Sequence, residues 1–267
     1  MSRSDAATRR ATTRRLARRA LLGAAVVGLL AGLVWLRTLP LARVVVAGAH
    51  HASAPDIADL TEAVPDSVAL FSLSPALMAD RASRHPWVAS ARVTRWPTGT
   101  LRVTVEERVP VALALADGEP SHFFDAEGFA MPVASLRPAV VDVPVLTGDV
   151  PAPPPGERTD RRALRSLLAA LAAADAATAA LVSEVHVGPQ GALTLYTTPA
   201  GEVGTIPVRL GRTDHADQLA RLRAFWDQAV LPRPAARLRQ VDLRYRGQVV
   251  TLEGEPPAPD SSSSVSA

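Results

Sequence analysis

The 267 residues contain no cysteine and no lysine, and only 4% are aromatic. The missing cysteines remove disulfides, thiolate nucleophiles and Cys-ligated zinc or iron–sulfur sites together. They leave the compartment open, because an exported domain need not carry disulfides. Familiar catalytic patterns are missing too. There is no G-x-S-x-G, no P-loop, no Rossmann glycine pattern and no H-E-x-x-H spacing among the six histidines. His50 and His51 are adjacent, and neighbours on an extended chain point to opposite faces, so they are poorly placed to share a metal. Asp242 and Glu107 have no obvious second acid or nucleophile beside them. These absences lead us to expect no enzyme, no metal, no cofactor and no small-molecule substrate.

Charge of both signs is present, but it is divided along the chain. The net charge is +3. Residues 1–37 hold eight Arg and one Asp, while the rest holds 21 Arg against 25 acidic residues. A mildly acidic soluble part lacks the basic groove or stripe that nucleic acid needs. The basic end is better explained by topology. Ala20 to Leu36 is an uncharged run, ALLGAAVVGLLAGLVWL, preceded by Arg3, Arg9, Arg10, Arg14, Arg15, Arg18 and Arg19. A helix of that run spans roughly 26 Å at about 1.5 Å per residue, at the short end for a hydrocarbon core of about 30 Å. Arg19 and Arg37 can snorkel to the two headgroup layers. The arginine bias places the N-terminus in the cytoplasm, with Trp35 at the outer interface. A cleaved signal peptide is the competing reading. Its core is shorter, about 7–15 residues, and it ends in an A-x-A-like site. The nearest small-x-small triplet here, Ala47-Gly48-Ala49, follows a predicted strand. Gly28 and Gly32, four apart, offer a helix-packing face in the membrane.

Beyond Arg37 the periodicity changes. Arg43 to Gly48 reads as a strand and turn. Ser53 with Asp56 caps a helix carrying Ile57, Leu60, Thr61 and Val64. Ser74-Pro75 starts a second helix, which stops before His85-Pro86. Trp87–Trp96 and Thr100–Val109 alternate with period two around Pro97-Thr98-Gly99, a hairpin with one face in the core. The first unit is therefore β-α-α-β-β, about residues 43–110. A second unit opens at Pro110 to Leu115. A tight hairpin follows over Phe123–Ala130, turning at Glu127-Gly128. Leu164, Leu167, Leu168 and Leu171 mark an amphipathic helix. Strands are expected at about 184–188, 192–197 and 202–210, a helix at about 214–230, and a closing strand pair, Leu238–Arg246 and Gln248–Glu253. Residues 254–267 are Pro/Ser-rich and expected to be disordered.

One membrane helix, a strand ending Val46-Ala47-Gly48, and the run Pro86-Trp87-Val88-Ala89-Ser90-Ala91-Arg92-Val93-Thr94-Arg95-Trp96-Pro97 leading into Glu107-Arg108-Val109-Pro110-Val111-Ala112 resemble the bacterial cell-division family FtsQ/DivIB. Asp125-Ala126-Glu127-Gly128, Pro144-Val145-Leu146-Thr147-Gly148 and Val241-Asp242-Leu243-Arg244-Tyr245 follow in the family's order. The likeness covers about residues 15–253. It implies an α+β chain: a basic cytoplasmic tail (1–19), a transmembrane helix (20–36), a POTRA domain (43–110), a mostly antiparallel β domain with flanking helices (111–253) and a disordered tail (254–267). It implies a single-pass type II protein of the cell membrane at the division septum, with its bulk in the periplasm or outside.

The implied partners are FtsB-like and FtsL-like single-pass proteins and other divisome members, besides the lipid bilayer. Capture would be by strand addition to the last strands, regulating septal peptidoglycan synthesis through those partners. Carried over by motif, Tyr245 is the leading partner contact, flanked by Arg244, Arg246, Val249 and Val250; the competing reading of Tyr245 is ordinary strand packing. Arg95 and Trp96 at the hairpin tip are a candidate recruitment surface, and Trp87 reads as core. An alternative class, a POTRA-bearing export or assembly factor, would need a C-terminal barrel with aromatic girdles. Too few residues and too few aromatics remain for one.

Overall fold

The computed structural model describes residues 3–133, 141–199, 204–232 and 238–254, with side chains from Arg18 onward. It divides into two compact units, Met1–Glu106 and Glu107–Ala267.

The first unit begins with α1, Arg3–Thr38. Helix thus continues through the region expected to be only a basic tail. The stretch long and apolar enough to cross a membrane is Arg18–Thr38, 21 residues, or about 31 Å at 1.5 Å per residue. This span matches the hydrocarbon core better than the shorter run of uncharged residues. The predicted β-α-α-β-β order then follows. Strand β1 is Arg43–Ala47, α2 Ala54–Leu60, α3 Pro75–Ala82, β2 Val88–Trp96 and β3 Thr100–Glu107. The strands lie in the order β1-β3-β2, with β1 parallel to β3.

Local chemistry accounts for these boundaries. The Ser53 and Ser74 hydroxyls accept from the backbone N–H groups of Asp56 and Leu77, capping α2 and α3. Helix α2 is shorter than predicted. It stops at Leu60, Glu62 turns to φ +55°, and Val64 is exposed. Gly48 ends β1 at φ +89°, against the Val105 backbone, where any Cβ would collide. Trp87 is fully buried and stacks on His51 at 5.8 Å, so it is core.

The second unit is one open nine-stranded sheet with helices packed on it. Its strands are β4 Ala112–Ala116, β5 Glu119–Phe124, β6 Ala130–Pro132, β7 Val145–Gly148, β8 Val182–Val187, β9 Leu193–Thr197, β10 Pro207–Leu210, β11 Leu238–Asp242 and β12 Val250–Glu253. Their order is β12-β11-β10-β9-β8-β7-β4-β5-β6. Most pairs are antiparallel, as expected. Three are parallel: β4 with β7, β7 with β8, and β10 with β11. Helix α4, Arg162–Ala173, buries Leu164, Leu167, Leu168 and Leu171, the predicted stripe. Helices α5, Ala176–Ala179, and α6, His215–Phe225, complete the layer; α6 closes in a π-helical turn at Trp226–Val230. Asp117 and Gly118 both take positive φ between β4 and β5, the two-residue hairpin turn that Asp-Gly favours. The start of the strand expected at 202–210, and all of the tail expected at 254–267 beyond Gly254, lie outside the described residues.

Two buried polar groups tie this unit together. Asp125 accepts from Arg108 at 2.7 Å and from the N–H groups of Glu127 and Phe129 at 3.1 and 2.8 Å, which fixes the β5–β6 turn. His215 joins α6 to α4. Its Nε2–H donates to the Gly211 carbonyl at 3.0 Å, so Nδ1 accepts from the Ser166 hydroxyl at 2.9 Å. Burial holds His215 and His122 below the usual histidine pKa. Both therefore stay neutral in the fold while the unfolded chain takes up protons below about pH 6.5. Stability is complete above that pH and falls as pH drops through it. The second unit should melt at a lower temperature at pH 5.5 than at pH 7.5, as followed by circular dichroism of the full chain. His215→Gln should flatten part of that dependence.

Candidate functional site

The two ends of the nine-stranded sheet are treated differently by the chain. At one end, β6 is covered: the Ala130 N–H donates to Glu157 O at 2.9 Å, and Ala130 O accepts from Gly156 N–H at 2.8 Å. Pro132 closes that strand without an N–H to offer. At the other end, β12 pairs with β11 on its inner side, with Val241 opposite Thr251 and Asp242 opposite Val250. Among the described residues, no backbone hydrogen bond reaches its outer side. All four β12 residues are exposed, including Val250 and Leu252 at 44% and 58%. Unpaired N–H and C=O groups beside exposed apolar side chains make an edge ready to accept another strand.

The structure brings the sequence-derived candidates to this end but moves them off the strands. Strand β11 stops at Asp242, whereas the predicted strand ran on to Arg246. Arg244, Tyr245, Arg246 and Val249 occupy the connection to β12, and only Val250 lies on a strand. The diversion has two causes. The Asp242 carboxylate turns back to accept from the Arg244 N–H at 3.0 Å and from its guanidinium at 3.0 and 2.6 Å. Arg221, on α6, then gathers the connection, donating to the carbonyls of Leu243 at 3.1 Å, Tyr245 at 2.9 Å and Gln248, while Asp217 holds it at 2.9 Å. Tyr245 is left 53% exposed, with the Arg244 guanidinium 5.9 Å from its ring. Arg246 reaches Asp214 at 3.1 Å but stays in solvent. Val249 turns inward against the core, so it is a packing residue. Leu252 and Arg221 were not singled out by sequence. Leu252 follows Val250 at period two, a signal that was available; nothing in the sequence joins Arg221 to residues more than twenty positions away.

Arg244 holds the Asp242 carboxyl below the usual carboxylate range, chiefly through the side-chain hydrogen bonds. Asp242 in turn pushes the guanidinium pKa up.

The other candidates lie in the first unit. Arg95 donates to the carbonyls of Phe71 and Leu73 at 3.2 and 3.1 Å, fastening β2 to the short 3-10 turn Leu70–Ser72. That engagement leaves Trp96, 49% exposed, as the open member of the pair. Gly28 and Gly32 have open space around them on α1.

The FtsQ-type POTRA domain family matches residues 39–108. The family described as FtsQ/DivIB, C-terminal related, matches residues 109–252. A cell division protein FtsQ of Rhodothermus marinus is 44% identical over 230 residues, covering 86% of this chain and 83% of its own length. The chain belongs to the FtsQ/DivIB family of cell-division proteins. The FtsQ of Salinibacter ruber is 38% identical over 262 residues, 94% of this chain and 97% of its own. The major extracytoplasmic domain of DivIB from Geobacillus stearothermophilus superposes over 48% of this chain and 97% of its own at 21% identity, with a TM-score of 0.32; that superposition adds nothing to the assignment. Family membership gives the chain a role in the divisome, carried out through contacts with other division proteins, and sets aside the export-factor reading.

Arg221 should therefore organise the edge from behind. Arg221→Ala should cost about 2 kcal/mol, the scale of charge-assisted hydrogen bonds. Amide exchange should speed up between residues 243 and 250 and stay unchanged in α4. The same loosening should follow acidification through the lowered Asp242 pKa, below the ordinary value of about 3.9.

Proposed function

We propose that the chain is a non-enzymatic scaffold of the division machinery that captures FtsB-like and FtsL-like partners by strand addition at β12, and through them regulates septal peptidoglycan synthesis. The observation that carries this reading is the asymmetry of the sheet: among the described residues one edge is covered by its own chain, and the other is open, apolar and flanked by an exposed tyrosine. An incoming strand would pair with the free β12 backbone, giving affinity without demanding much of its sequence. Val250 and Leu252 on one face, with Tyr245 beyond the strand end, would supply side-chain selectivity. Tyr contributes large contact area at low entropic cost, the profile of an interface hot spot. Arg244 and Arg246 would border that contact.

In this reading α1 spans the inner membrane, with its arginine-rich end in the cytoplasm and both folded units outside, at the septum. Partners anchored in the same membrane meet the edge in two dimensions rather than three. Such confinement raises effective concentration, so a modest strand-pairing interface suffices.

Tyr245→Ala should weaken binding of the FtsB/FtsL pair by about 2 kcal/mol, roughly thirtyfold. Thr251→Pro, which removes an edge N–H and rigidifies the strand, should abolish it. Both are read by pull-down and titration of full-length protein in detergent. Wild-type affinity in both variants would move the interface away from this edge.

A further inference from the structure

Trp96 ends β2, and the chain then turns at Pro97-Thr98-Gly99 directly against the residues that leave α1. The Gly99 carbonyl accepts from the N–H groups of Ala42 at 2.7 Å and Arg43 at 3.3 Å. Gly99 takes φ +82°, and a Cβ there would come within 3.0 Å of the Ala42 side chain and 3.2 Å of the Pro40 carbonyl oxygen. Glycine therefore lets the hairpin tip close onto this segment. Helix α1 ends at Thr38, and the four residues from there to Ala42 reach at most about 14 Å. The tip is thus held no farther from the end of the apolar helix than about twice the depth of one headgroup layer, which is roughly 5–8 Å.

A second segment is fastened to the same place. Leu70 N–H donates to Leu39 O at 2.8 Å, and Leu41 N–H to Val68 O at 3.0 Å, around a bridge between Pro40 and Ala69. The 3-10 turn Leu70–Ser72 packs on α1 itself. The groups gathered here share one composition. Trp96 has the Arg102 guanidinium 6.0 Å from its ring, and Phe71 has that of Arg95 at 5.1 Å. Trp35, 59% exposed, and Arg37 lie in the final turns of α1. Aromatic rings at headgroup level, with arginines reaching phosphates, are what a membrane–water interface selects.

We propose that the POTRA unit is seated on the membrane rather than only tethered to it. Trp96 enters the headgroup layer of the leaflet from which the C-terminal end of α1 emerges, and Arg102 and Arg37 bind lipid phosphates beside it. This rests on α1 being a membrane span. Seating at a second point limits swivelling about the linker, so the first unit presents a fixed face to its surroundings. It also assigns the exposure of Trp96 to lipid, where a recruitment surface would assign it to protein.

The absence of cysteine allows a direct test. The full chain, reconstituted in phosphatidylethanolamine and phosphatidylglycerol nanodiscs, would carry a single cysteine labelled with an environment-sensitive fluorophore. Headgroup spin-labelled lipids serve as quenchers. Positions are Thr98 at the tip, Ser90 about 20 Å up β2 at the usual rise per residue, and Gly28 within α1 with acyl-chain quenchers. Thr98→Cys should be quenched several-fold more than Ser90→Cys, and adding Trp96→Ser should bring it down towards the Ser90 level. Strong quenching at Gly28 with equal quenching at Thr98 and Ser90 would overturn the seating while leaving the span intact, and would return Trp96 to a protein partner. No change on adding Trp96→Ser would overturn the role of Trp96. An unquenched label at Gly28 would remove the span, and the seating with it.

Discussion

An open β-sheet has two outermost strands, and each carries backbone donors and acceptors that something must satisfy. The second unit meets this constraint in two ways. On the β6 side the chain folds back, so Gly156 and Glu157 occupy the groups of Ala130. On the β12 side no described residue covers them, and Val250 and Leu252 beside them are exposed. Much else in the unit serves the second arrangement. The parallel β10–β11 pair sets the strand that supports β12, and Arg221 fixes the connection that places Tyr245 at the end of the edge. An exposed edge is an aggregation hazard unless it has an intended occupant, and a divisome protein works among other division proteins that can provide one.

Much of this fold was legible in the sequence, and the legible parts are those governed by local rules. Ser53 and Ser74 announced their helices because capping needs only three residues of context. The leucine stripe of α4 and the alternation along β3 followed from burying one face. Most of the misses were long-range. Strand β11 ends at Asp242 rather than Arg246 because one carboxylate turns back on Arg244 and one arginine from α6 collects three carbonyls; periodicity cannot see either. The two parallel pairs of β7 were missed because it is four residues long and its partners lie far apart in sequence, and the β10–β11 pair because α6 intervenes between the two strands. Asp117-Gly118 is the exception, a hairpin turn that the dipeptide alone makes readable. At the candidate site, the motif placed Tyr245 on the closing strand, whereas it lies in the connection from β11 to β12, and it could not show that Val249 faces inward.

The first unit shows how one motif can carry two tasks. In the Arg95-Trp96-Pro97 run, Arg95 is spent on the backbone carbonyls of Phe71 and Leu73, while Trp96 is left outside. Adjacent strand residues point to opposite faces, so one knits the unit and the other meets its surroundings. The same hairpin that completes the core also turns back onto the exit of α1, which makes the position of the tip a consequence of the fold rather than of a flexible linker.

The central claim is that β12 is the partner-binding edge. Amide hydrogen exchange of the full chain in nanodiscs, with and without the FtsB/FtsL pair, tests it most directly. The account predicts new protection confined to residues 250–253 and the adjoining connection, with β6 unchanged. Protection elsewhere in the second unit, with β12 exchanging as fast as in the free protein, would contradict it.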